Sequence, residues 1–294
     1  MTVGHVTVDV IATDCTRRPG GGAFYSALQA ARLGLRALIV TQGSPPEIEA
    51  LLAPYRDELE LRIFPAPATT TLLTSWPRGR RTQQVLAWAG PIAETIAVDT
   101  QILHFAPVAR ETSAAWRGHA GFIGLTPQGL ARMWDPRPGE THDADAREGA
   151  AEGGEVGGEL RSTPLPSDRG SLDALLPHPC NAVVISEQEH VACAPLLDAA
   201  ADIGAVIAIT AGPGATSVQP PGGECIRVQA PAVAEPREDL GAGDVFAAAF
   251  FVALHEGLPP ERAAAFAGAA AGIRIEGSGA DAIGNRSAIE ARLP

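Results

Sequence analysis

Apolar stretches alternate with helical patterns almost from the first residue. HVTVDVIA (5–12) reads as a strand, and AFYSALQAARL (Ala23–Leu33) as a helix closed by Gly34 as its C-terminal cap. Further strand-like runs are ALIV (37–40), LRIF (61–64), TLLTSW (71–76), QQVLAW (83–88), QILHFA (101–106), GFIGL (121–125), NAVVIS (181–186), AVIAIT (205–210) and CIRVQA (225–230). Runs with no polar alternation, AVIAIT above all, suit parallel strands buried on both faces. The C-terminal third predicts helices over Asp244–Glu256 and Pro260–Ile275, then a short one over Ser287–Leu293. This alternation predicts one α/β domain over 1–294, an open and mostly parallel sheet with helices on both faces. Residues 61–88 break the pattern with three strand-like pieces, no helix, and the breakers PAPATT and PRGRR. They predict a small antiparallel flap. Residues 138–170 predict no element: apolar periodicity is lacking, and seven acids face one Arg between Gly139 and Glu159. That composition predicts a disordered acidic insertion.

Composition narrows the chemistry. All 22 basic residues among the 294 are Arg, and Lys is absent. A GxxxxGK[ST] phosphate loop, a lysine Schiff base and a protein-kinase-type strand lysine are therefore excluded. The net charge of −12 and the lack of a basic stripe argue against a nucleic-acid partner. The longest apolar run, Ala263–Ile273, is too short for a membrane span. Four cysteines without a CxxC pair predict reduced thiols and a cytoplasmic protein, and the N-terminal residues do not read as a signal peptide. The histidines form no HxxxH or HExxH pair, so a metal centre built on them is not expected.

The strongest chemical signal is EDLGAGDVF (Glu238–Phe246) at the opening of an apolar helix. Gly241-Ala242-Gly243 leaves backbone amides uncovered at a helix N-terminus, which is an anion site. Asp244 there would repel an anion, unless it faces a hydroxyl and accepts its proton while the amides hold a transferring phosphoryl group. The alternative for Asp244 is an ordinary N-cap after a glycine turn. Near the other end, Asp9 closes the first predicted strand and Gly20-Gly21-Gly22 opens the first helix. An acid at a strand's carboxyl end lies where open α/β sheets bind ligands.

With these motifs in place the sequence resembles the ribokinase family, the phosphofructokinase-B type of carbohydrate kinases. The resemblance is carried by G-x-x-x-x-D (Gly4–Asp9), P-G-G (Pro19–Gly21) and A-R-L-G (Ala31–Gly34), by G-A-G-D-x-F (Gly241–Phe246), by G-x-G-A (Gly277–Ala280), and by the βα alternation between them. It implies the ribokinase-like fold with a β lid at about 61–88, and ATP-dependent phosphoryl transfer to a hydroxyl of a small sugar or polyol. It implies Asp244 as base, Gly241, Ala242 and Gly243 as anion hole, and Asp9 with Gly20, Gly21 and Gly22 as acceptor-binding positions. Glu189, in S-E-Q-E (Ser186–Glu189), falls where the family organises Mg²⁺ through water, with Ser186 in place of the usual Asn. Thr210, Gly212 and Gly214 resemble the nucleotide turn, one residue short. Glu238-Asp239-Leu240 replaces the usual residues ahead of G-A-G-D, which leaves monovalent-cation activation open. Tyr25 stands near the family's acceptor-binding Asn. Arg81 and Gln83 in the lid, and Gln128 after GFIGL, are candidates to reach the acceptor. The glycines with Tyr25 and the lid's threonines, Arg and Gln look closest to kinases of inositol-like polyols. A nucleoside kinase and a sugar-binding regulator with weakened turnover are the rivals, and a monomer or homodimer is expected.

Overall fold

The computed structural model describes residues 1–79, 81–92, 95–134 and 154–293. In chain order it begins with β1 (Thr2–Val3), β2 (Thr7–Ile11), β3 (Arg17–Gly20), α1 (Gly22–Arg32), β4 (Ala37–Gly43), α2 (Pro45–Leu51) and β5 (Leu59–Pro65). Then come β6 (Thr71–Ser75), β7 (Thr82–Trp88), β8 (Ile96–Phe105), β9 (Trp116–Leu125), β10 (Arg132–Met133), β11 (Gly154–Glu159) and β12 (Arg161–Ser162). The last part holds α3 (Arg169–Asp173), β13 (Ala182–Ser186), α4 (His190–Asp202), β14 (Val206–Thr210), β15 (Thr216–Gln219), β16 (Ile226–Val228), α5 (Ala242–His255), α6 (Pro260–Glu276) and α7 (Arg286–Glu290).

The large sheet has the order β16-β15-β14-β13-β9-β8-β1-β4-β5. From β14 to β5 every pairing is parallel, and β15 and β16 add an antiparallel edge. Adjacent residues of one strand feed opposite cores, as a strand's two-residue period requires. Ala182 and Val184 pack with α1, α5 and α6, whereas Val183 and Ile185 pack on the other face with Leu196, Leu197 and Ala200 of α4. Helix α5 is apolar on nearly all sides past its first turn, which suits its place between α1, α6 and the sheet. No described helix is long and apolar enough to cross a membrane.

A second sheet of five strands, β11-β7-β6-β2-β3, forms the lid. It corrects three expectations. Leu61–Phe64 belongs to the edge strand of the large sheet, β5, and not to the flap. The run HVTVDVIA is a strand, β2, but it pairs with β3 and β6 in the lid, and the large sheet takes the two residues Thr2–Val3 ahead of it as β1. Its alternation suits a strand of either sheet, so the pattern does not say which. The expected insertion, 138–170, lies outside the described residues up to 153, but its remainder is ordered. Gly154–Glu159 pairs with β7, Arg161–Ser162 with β10, and Arg169–Asp173 is helical. A glycine-rich edge strand pairs through its backbone and shows little side-chain pattern.

Candidate active site

Strand β1 sits where the sheet order reverses, with β4 on one side and β8 on the other. The carboxyl ends of such strands form the crevice in which open α/β sheets hold ligands. Two helix openings, of α1 and α5, and the lid converge there.

Asp9 comes from the lid strand β2, opposite Arg18 of β3 and Leu72 of β6. It is 5% exposed and accepts a 2.7 Å hydrogen bond from the Thr7 hydroxyl. The glycine triplet makes room for it and for its counterpart. A Cβ at Gly20 would overlap the Asp9 carboxylate, and one at Gly22 would lie 3.0 Å from Asp244 Oδ1. Gly21, the N-cap of α1, has φ 92, which glycine adopts without strain. Asp244 stands in the first turn of α5, whose N-cap is Gly241 with φ 76. Of the three amides expected at this opening, that of Ala242 already donates to the Asp239 carbonyl at 3.1 Å.

Asp9, Gly21, Gly22, Tyr25, Arg81, Gln83, Gln128, Gly241 and Asp244 line one polar pocket of about 60 Å³. Leu72, Pro107, Val108, Arg132 and Leu240 complete it. Gln83 donates to Thr74 Oγ1 at 3.3 Å, and Arg81 lies 3.6 Å from Asp239. Gln128 donates at 2.7 Å to Glu189, whose other oxygen accepts from the Ser186 hydroxyl. Glu189 is thus tied to the pocket through Gln128. Ser186, Thr210, Gly212 and Gly214 do not line it. They sit at the carboxyl ends of β13 and β14, where Thr210 Oγ1 donates to the Ile185 carbonyl at 3.4 Å and Gly212 has φ 56.

Burial pushes both carboxyls up to about 6, Asp9 against the Thr7 hydrogen bond and Asp244 against the charges of Arg132 and Arg81. Arg132 is the residue that sequence reasoning missed. Its Nη1 donates to the Val108 carbonyl at 3.3 Å, and it faces Asp244, Glu189 and Glu111 electrostatically. Burial lowers its proton affinity, yet an arginine stays charged. The one available signal was its spacing of four from Gln128 across the short turn Pro127–Ala131. Glu111 was missed too. Fully buried, it accepts the amides of His5, Val108 and Ala109 at 2.7–3.0 Å and so holds one pocket wall. A pocket of this kind can hold a polyhydroxyl compound on Asp9 and take a proton at Asp244 while guanidinium groups balance the charge.

Residues 171–286 match the model of the pfkB family carbohydrate kinase. No curated protein sequence matches the chain. Among solved structures, a pyrophosphate-dependent kinase in the ribokinase family, complexed with a pyrophosphate analog and myo-inositol, superposes with a TM-score of 0.69. It is 19% identical, over 99% of this chain and 98% of its own. Arabidopsis thaliana ribokinase complexed with ribose and ATP gives 0.68 at 16% identity, over 99% and 97% of the two chains. Vibrio cholerae O395 fructokinase with fructose, ADP and calcium gives 0.67 at 19% identity, over 100% and 99%. The chain therefore has the ribokinase-like fold from end to end, and within it residues 171–286 match the pfkB family carbohydrate kinase model.

Proposed function

We propose that this chain transfers a phosphoryl group from ATP to a hydroxyl of a small sugar or polyol. The observation that carries this is the pairing of two enclosed carboxyls with raised proton affinity, Asp9 and Asp244, in one pocket with Arg81 and Arg132. Asp9 accepts hydrogen bonds from acceptor hydroxyls and fixes their orientation. The reacting hydroxyl meets Asp244, which takes its proton as the oxygen bonds to phosphorus and the bond from phosphorus to the donor's leaving oxygen breaks. The backbone at Gly241–Gly243 and the Arg132 guanidinium face the negative charge of the transferring group. The described residues contain no cluster of three acidic, His or Cys groups to cage a metal. That suits Mg²⁺, which keeps most of its waters and binds through donor phosphates. When bound it would neutralise phosphate charge, and Glu189, which Ser186 and Gln128 steady, would accept from one of its waters.

Polyols of the inositol type are the first acceptors to try, because the pocket presents several fixed hydrogen-bonding side chains around a small volume. Inorganic pyrophosphate is the second donor to try, since one structural neighbour is a pyrophosphate-dependent kinase. The test is product formation over a panel of sugars, inositols and nucleosides with each donor. Transfer to a sugar or polyol that Asp244→Asn abolishes supports the proposal. Transfer to nucleosides alone makes the chain a nucleoside kinase. Tight acceptor binding with no transfer makes it a regulator on a kinase fold.

A further inference from the structure

We propose that Arg274 is a positioning residue for phosphoryl transfer, a resident cation behind the turn that opens α5. This rests on the kinase function proposed above. Arg274 lies in the last turn of α6 and is the largest fully buried side chain among the described residues. Its Nη1 donates to the Gly277 carbonyl at 3.3 Å, and its Nη2 lies 3.5 Å from Glu238. Among the described residues Nε and Nη2 find no partner at good hydrogen-bond geometry, Nη2 being held by the longer contact to Glu238 and the guanidinium interacting with the Tyr25 side chain.

The guanidinium carbon sits 5.6 Å from the centre of the Tyr25 ring. The same ring packs directly over Gly241, so closely that a Cβ at Gly241 would overlap it. Tyr25, Gly241 and Asp244 all line the acceptor pocket. One aromatic ring therefore separates a buried positive charge from the backbone that opens α5. Glu238 ties the cluster to its surroundings. It accepts from the Gly279 amide at 2.9 Å and from Arg18 of the lid strand β3 at 3.3 Å. Two guanidiniums share one carboxylate, so the cluster of Arg18, Glu238 and Arg274 carries one net positive charge.

A buried guanidinium with unmade hydrogen bonds is costly, and an apolar side chain of similar volume would pack there at lower cost. The helix C-terminus favours a cation at Arg274, but an exposed arginine would gain the same dipole term without desolvation. The charge is useful where it is because the interior screens it weakly and it faces the site where phosphate charge develops. Arg274 also braces Tyr25 against Gly241, and so fixes the left-handed N-cap that aims the first amides.

The experiment uses the full chain with Arg274→Met, Arg274→Lys, and the charge-neutral double variant Glu238→Gln/Arg274→Met, each checked for folding by circular dichroism. Affinity for inorganic pyrophosphate is measured by calorimetry, and kcat and KM with the accepted substrate. Arg274→Met is expected to bind pyrophosphate about tenfold more weakly and to lose about ten- to a hundredfold in kcat, a loss of up to two decades in rate. Its acceptor KM should stay within about threefold. Arg274→Lys should keep most of both, and low millimolar guanidinium should restore part of the methionine variant's rate. If Arg274→Met does not fold, the double variant, which leaves no buried carboxylate unpaired and frees only the partly exposed Arg18, is expected to show the loss in kcat, because Tyr25 is unbraced and the charge behind it is gone. Its loss in pyrophosphate affinity should be smaller, because Arg18 stays charged. A folded Met or double variant with wild-type pyrophosphate affinity and kcat would overturn the proposal. So would equal losses in the Lys and Met variants, or a wild type that binds no pyrophosphate. A wild type that binds pyrophosphate but phosphorylates no acceptor counts against the kinase function alone, and the affinities then still decide the role of Arg274.

Discussion

Asp244 has two possible duties, and one substitution separates them. Asn keeps the size of the side chain and caps a helix about as well as Asp, but it takes no proton. Asp244→Asn should therefore lower kcat by about 10²–10⁴-fold, the usual worth of a general base. Affinity for an anionic donor should hold or rise, because a negative charge leaves the opening of α5. An Asp that only capped the helix would show the reverse, a small stability change and a rate within a few fold of wild type. The pH dependence follows from the same environment. A base pushed up to about 6 by burial gives an acid limb in kcat/KM with its midpoint near pH 6. Stability runs the other way. The folded state keeps protons on Asp9 and Asp244 that an unfolded chain, titrating near 3.8, has already released. Their contribution is fully present below about pH 4 and is lost as pH rises through about 6. Asp9→Asn should then stabilise the protein at pH 8, by on the order of 2–3 kcal/mol, and change little at pH 4. Thermal melts of wild type and variant at both pH values test this, and an equal shift at pH 4 and pH 8 would refute it.

At the scale of elements, β8 and β9 are parallel neighbours, and only residues 106–115 return the chain from the end of one to the start of the other. Each strand has ten residues at about 3.3 Å each, so the connection is nearly extended and has no helix. Glu111, fully buried, pins it by accepting the amides of Val108 and Ala109 and ties it to that of His5. Glu111→Ala leaves those donors unmet and should cost about 3–5 kcal/mol in urea unfolding, since each orphaned group costs about 1–3 kcal/mol. Glu111→Gln keeps one acceptor oxygen and should cost clearly less. Nothing in A-R-E-T announced this glutamate. Its role depends on His5, which is distant in sequence, and an isolated acid in a polar stretch reads as solvated. The helices and buried strands were legible because burial on one or both faces imposes a period. The glycines and acids at the openings of α1 and α5 were legible because a positive φ and a close backbone approach admit few residue types. Arg132 and the strand Gly154–Glu159 were not, since a lone Arg after a turn and a glycine-rich edge satisfy no period.

At the scale of the molecule, the lid is expected to move. The pocket beneath it offers about 60 Å³, while pockets that hold small ligands run to about 300–1,000 Å³. Asp9, Leu72, Arg81 and Gln83 enter it from lid strands or the turn between them; Tyr25, Arg132 and Asp244 enter from the α/β body. An acceptor held between Asp9 and Asp244, as proposed above, would bridge the two parts, and its entry is expected to need their separation. A donor at the opening of α5 touches chiefly the body. The edge of the lid is weakly held, with β11 glycine-rich and joined to β7 through an irregular register. Such a sheet opens at low cost. Amide exchange in Thr71–Ser75 and Thr82–Trp88 should thus be faster than in Ala182–Ser186 or α5 of the unliganded protein. It should slow about tenfold or more with saturating acceptor, and change little with donor alone. Asp9→Asn should lose most of the acceptor-induced protection, because the bridge has lost its charged lid-side anchor, while the slow exchange of the body stays as it was. Lid amides equally protected with and without an accepted substrate would mean that the acceptor enters by another route.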